Sequence, residues 1–122
     1  MSKYRNNRIA EEIKRIISLL LQRQVKDPII HKGHVTVSQV YLSGDMSLAK
    51  VFVSTLGQRH QQEKILLALQ RAKGYLRREL ANHLDIKFVP EIQFIIDKSI
   101  EQGVRMTALL DQLVSQEEEF HG

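Results

Sequence analysis

A chain of 122 residues that is 43% hydrophobic and 26% charged is sized and composed for one compact soluble domain, which excludes an intrinsically disordered chain. It contains no cysteine, which rules out disulfides and thiol chemistry and fits a reducing cytoplasm, and its longest apolar run is the five residues Ile65–Leu69, far short of the roughly 18 that cross a bilayer. The formal net charge of +4 is unevenly spread: residues 1–33 hold eight Lys/Arg against three acids, residues 34–100 nine against six, and residues 101–122 one against five. A basic body of this kind favours polyanions such as RNA through counterion release.

In chain order, Asn6 or Asn7 is placed to cap a first helix, in which Ile9, Ile13, Ile16, Ile17 and Leu20 share one face. The helix runs to about Val25 and stops at Asp27-Pro28. Its outer face carries Arg8, Glu11 and Arg15, with Glu11 and Arg15 in the favourable i, i+4 order, after a basic lead-in of Lys3, Arg5 and Arg8. Residues 28–33 read as a loop. Residues 34–42 are rich in β-branched and aromatic side chains; Val35 and Val37 share one parity and Val40 and Leu42 the other, which predicts a bulge near Ser38-Gln39. Ser43-Gly44-Asp45 is turn chemistry, and Leu48–Leu56 reads as the second strand of an antiparallel hairpin.

From about Gln61 a helical pattern returns with Ile65, Ala68, Leu69 and Ala72 on one face, and it restarts past Gly74 as Leu76, Leu80 and Leu84. A helix-interior glycine costs about 1 kcal/mol relative to alanine, so Gly74 is read as a break between two helices. Arg71, Lys73, Arg77 and Arg78 crowd that junction. A free helix N-terminus there would attract phosphate; equally, Gly74 could close the first helix as a left-handed cap, with the cations serving its dipole. Residues 86–97 around Pro90 read as a third strand with Ile92, Phe94 and Ile96 alternating, and from Ser99 a last helix carries Met106, Leu110 and Leu113, with Asp97 as its cap. The order predicts an α+β sandwich with one small sheet packed by helices.

Catalytic signatures are missing. His31, His34, His60, His83 and His121 include no i, i+4 ligand pair, and there is neither a phosphate loop nor a GxGxxG run. Asp85, Glu91 and Asp97 have no spacing that implies a shared site. The expectation is a non-enzymatic protein with no cofactor, no metal and no small-molecule substrate.

Six segments occur in a fixed order: Arg8-Ile-Ala-Glu-Glu-Ile-Lys-Arg, Val25-Lys-Asp-Pro28, Val35-Thr-Val, Ala49-Lys-Val-Phe-Val-Ser, Ala72-Lys-Gly74-Tyr-Leu-Arg and Val89-Pro-Glu-Ile-Gln-Phe-Ile-Ile-Asp97-Lys-Ser99. Together, over roughly residues 4–114, they resemble bacterial ribosome-binding factor A. The resemblance implies a type II KH-like fold of order αββααβ, a single domain at 1–114 followed by a short acidic tail at 115–122. It also implies an Ala-x-Gly kink at Ala72-Lys73-Gly74 in place of a Gly-x-x-Gly loop, and no two glycines here stand three apart. The implied partner is the immature small ribosomal subunit and its rRNA, bound by a cytoplasmic monomer that promotes late maturation and rRNA processing, particularly in the cold. RNA contact is expected at Arg71, Ala72, Lys73, Gly74, Arg77 and Arg78, and at Arg5, Arg8 and Arg15 of the first helix. The competing reading is a KH-like protein-interaction module that docks a protein through the hairpin or the last helix. The chain departs from the family pattern at Gly44, where Ser-Pro-Asp is common, at Ile92 for leucine, and in its acidic tail.

Overall fold

The computed structural model describes residues 2–56 and 58–98; the expected last helix and acidic tail lie outside the described residues. Six elements follow in order: α1 (Ser2–Arg23), α2 (Pro28–Lys32), β1 (Thr36–Leu42), β2 (Leu48–Ser54), α3 (Arg59–His83) and β3 (Glu91–Ile96). The strands form one sheet in the order β1-β2-β3, with β1 antiparallel to β2 and β2 parallel to β3. A parallel pair needs a long crossover, and α3 supplies it. Helices packed on one small sheet in this topology make a KH-like α+β fold.

The apolar stripe of α1 is buried as its spacing requires: Ile13 and Ile17 are fully enclosed, and Ile16, Leu20 and Leu21 nearly so. The helix starts at Ser2, a turn earlier than a cap at Asn6 or Asn7 would allow. Asn6 has another task. Its buried side-chain amide donates to the carbonyls of Ser43 (2.9 Å) and Gly44 (3.2 Å), tying α1 to the turn between β1 and β2. Within that turn Asp45 accepts hydrogen bonds from the Ser47 hydroxyl (2.7 Å), the Ser43 hydroxyl (2.8 Å) and the Ser47 amide (3.1 Å). These donors, the Ser47 hydroxyl foremost, hold its carboxyl at about 2, below the ordinary 3.8. Met46 takes the left-handed conformation (φ 64°) that closes the turn.

The predicted bulge is present: the β1–β2 register slips between Val37 and Gln39. The slip turns both Val40 and Leu42 inward, although their parity differs from that of Val35 and Val37. Ser38, left over at the bulge, donates to the Phe52 carbonyl (3.2 Å) and to the Asp97 carboxylate (2.8 Å).

Residues 28–32, read as loop, form the short helix α2. Asp27 caps it by accepting from the Ile29 amide (2.9 Å), and Pro28 opens it. The helix ends at Gly33, which keeps a right-handed conformation, while His34 takes the left-handed one (φ 50°). Packing explains this inversion of the usual pattern, in which glycine takes the left-handed position. A Cβ on Gly33 would lie 2.7 Å from Ile65 Cδ1 and 3.1 Å from the Ile29 carbonyl oxygen, so glycine allows α2 to close against α3.

Gly74 does not divide the second helical region. Helix α3 is one span of 25 residues from Arg59 to His83. Ile65, Leu69, Ala72, Leu76 and Leu80 step at 4, 3, 4 and 4 residues, an uninterrupted helical stripe, and all but the half-buried Ala72 are enclosed. Fully burying a leucine or isoleucine contributes about 1.5–3 kcal/mol, so the four enclosed side chains outweigh the roughly 1 kcal/mol cost of one glycine. The third strand is shorter than expected. Residues 84–90 are irregular, and pairing begins at Glu91, after the buried Pro90.

Candidate nucleic-acid interface

Helix α3 presents its buried stripe to the sheet and, on another side, an exposed ridge. Lys64, Leu67, Arg71, Gly74 and Arg78 are all exposed and follow at intervals of 3, 4, 3 and 4. At 1.5 Å per residue, Lys64, Arg71 and Arg78 stand about 10 Å apart along one line. Gly74 leaves a gap in that line between the two arginines. A Cβ built there meets nothing within 4 Å, so no neighbour among the described residues requires a glycine.

The residues expected around Gly74 separate into two groups. Arg71 is exposed, and its Nη2 lies 3.6 Å from Asp27 Oδ2, the carboxylate that also caps α2; this loose pair holds the guanidinium over the α2–α3 seam. Arg78 is exposed and has no ion pair among the described residues. Ala72 and Lys73 are half-buried, Ala72 against the core. Arg77 belongs with the structure instead. Its Nη2 donates to the Val89 carbonyl (3.3 Å), its Nη1 sits 3.4 Å from Glu91 Oε1, and its Nε is buried without a partner. It clasps the irregular segment ahead of β3 to the last part of α3, a structural role beside the RNA contact expected of it.

On α1, Arg5, Arg8 and Arg15 are all exposed. Arg15 pairs with Glu12 (2.9 Å, i, i+3), which displaces the expected Glu11 pairing. Arg15 and Arg23 line one shallow cleft with His83 from the last turn of α3, so the C-terminal half of α1 lies beside the end of α3. Arg5 is elsewhere, in a cleft with Asp45, Lys87, Phe88 and Glu91. The structure therefore sets Arg15 beside His83 at the end of α3, and leaves Arg5 at a mixed-charge edge. Sequence reasoning missed Lys64 as the third cation of the ridge; the 64-71-78 heptad spacing was the available signal.

Nothing in this arrangement resembles a reaction centre. Among the described residues no three His, Asp or Glu side chains gather to hold a metal ion. Glu91 and Asp97 stand just inside and just beyond opposite ends of β3, one tied to Arg77 and the other to Ser38. No helix of the described residues is long and apolar enough to cross a membrane.

Residues 5–110 match the family described as Ribosome-binding factor A. The chain belongs to that family. Ribosome-binding factor A of Natranaerobius thermophilus is 48% identical over 113 residues, covering 93% of this chain and 85% of the relative. That of Syntrophomonas wolfei is 42% identical over 113 residues, covering 93% of both chains. Among solved structures, the crystal structure of ribosome-binding factor A from Thermus thermophilus superposes with a TM-score of 0.66 at 26% identity, over 75% of this chain and 93% of that one. A homology model of the Thermus thermophilus factor, fitted into a cryo-EM map of its complex with the 30S subunit, superposes with a TM-score of 0.62 at 27% identity, over 75% and 94% of the two chains. Ribosome-binding factor A is a family of ribosome-binding proteins and not of enzymes, which agrees with the absence of catalytic signatures in the sequence.

Proposed function

We propose that this protein is an assembly factor that binds the immature small ribosomal subunit through its rRNA and promotes late maturation and rRNA processing, in the cold above all. It works as a cytoplasmic monomer, a single KH-like domain at 1–114 with an acidic tail at 115–122, and it uses shape and charge in place of catalysis. Gly74 carries the assignment of the contact face. An exposed glycine inside a continuous helix, with no neighbour among the described residues to justify it, suits a flat site where a sugar-phosphate backbone comes close, flanked by Arg71 and Arg78 for its phosphates. Lys73 and the Ala72 backbone border that site, and Arg15 and Arg8 extend the positive field along α1, with Arg5 at its far margin. The 30S complex of the Thermus relative supports the choice of partner.

The double variant Arg71→Ala/Arg78→Ala tests the site. Both side chains are exposed, so folding is expected to persist, while co-sedimentation with small subunits weakens. Across a salt titration the slope of log K against log salt is expected to fall in magnitude by about 1.5, from two lost phosphate contacts at about 0.7–0.9 each. An unchanged slope removes the ridge from the interface. Binding that survives nuclease treatment through one protein would favour the protein-interaction module instead.

A further inference from the structure

The seam between α2 and α3 holds an open hollow of about 260 Å³ that neither the family nor the sequence reading assigns. Ile29 and Ile65 form its apolar wall with Gly33 between them, Leu56 stands at the rim 81% exposed, and the exposed Lys32 and Lys64 flank it. Among the described residues no acid lines it, and the first turn of α3 contains none. Glu63, the nearest acid in sequence, faces a different cleft on the other side of α3. The Gln61 side-chain carbonyl oxygen accepts from the Gln58 amide, so its NH₂ is left as a donor at the mouth.

We propose that this hollow receives one unpaired RNA base, with Lys32 and Lys64 on the flanking phosphates. The inference rests on the RNA-binding reading above and extends it to single-stranded RNA. Ligand pockets for whole metabolites run about 300–1,000 Å³, so a hollow just under that range suits a single planar base. Two cations with no opposing carboxylate among the described residues select a polyanion, and an apolar wall rewards a base that has left its helix, the form in which proteins read RNA sequence. Lys64 is also the first cation of the α3 ridge, about 10 Å from Arg71, so a strand lying along Arg78 and Arg71 leads into the hollow. Gly33 sets the depth, because any Cβ there would push into Ile65.

The experiment compares two RNA probes against the full chain: a short unstructured oligoribonucleotide and a fully paired hairpin of the same length. Amide NMR is expected to show Gly33, Leu56 and Gln61 shifting with the unstructured probe and staying still with the hairpin, while amides around Gly74 shift with both. Lys32→Gln and Leu56→Gln, both exposed and outside the ridge, are expected to weaken the unstructured probe several-fold and leave the hairpin unchanged; Lys32→Gln also lowers the salt slope by about 0.7. If Arg71→Ala/Arg78→Ala weakens both probes while the two hollow variants weaken neither, this inference fails and the ridge stands. If the double variant changes neither probe, the RNA-binding reading fails with it. If Leu56→Gln weakens only binding to whole subunits, the hollow takes a protein and the inference is overturned.

Discussion

Gly33 and Gly74 are both helix-associated glycines with right-handed backbones, yet their surroundings are opposite. At Gly33 a Cβ would collide with Ile65 and crowd the Ile29 carbonyl; at Gly74 it would meet nothing among the described residues within 4 Å. The first glycine is required by the interior, since it lets α2 dock on α3. The second is required by no neighbour among the described residues, and in helical terms it is a cost. What a single added carbon would touch therefore separates a glycine the packing needs from one it does not.

The contrast can be broken by substitution. Gly33→Ala is expected to have the largest effect, about 1–3 kcal/mol of destabilisation, because Ile65 is fully buried and the Ile29 oxygen is backbone. A denaturant midpoint equal to wild type would show that the α2–α3 contact has slack. Arg77→Ala follows at about 1 kcal/mol, from losing the Val89 hydrogen bond and a half-exposed pair with Glu91, with RNA affinity nearly retained. A large loss of affinity with full stability would return Arg77 to the interface.

Asp45 gives the smallest effect. Its folded value of about 2 lies below the ordinary 3.8, so its contribution to the hairpin turn is present above the ordinary value and is lost as pH falls through about 2. An NMR titration of the Asp45 carboxyl is expected to reach its midpoint near 2; a midpoint near 4 would mean the serine hydroxyls do not hold it in solution.

Much of this was legible in the sequence, for identifiable reasons. The 3.6-residue stripe of α1 and the change of parity across Ser38 each have one physical solution, and both appear in the structure. Helix α2 was not legible, because five residues are too few to show a period, and its stability comes from Asp27, Pro28 and the fit of Gly33 against Ile65. The continuity of α3 was misread, since helix propensity at Gly74 was given more weight than the unbroken 65-69-72-76-80 spacing. Arg77 could not be sorted from Arg78 by spacing alone, for its role depends on the Val89 carbonyl and Glu91, which arrive from beyond the end of α3.

The most direct test of the central claim is Gly74→Ala, measured for stability and for small-subunit binding on the same protein. The added methyl enters open space on a regular helix, so the free protein is expected to gain up to about 1 kcal/mol while its affinity for the subunit falls. A more stable protein that binds as well as wild type would contradict the claim that Gly74 is kept bare for a partner.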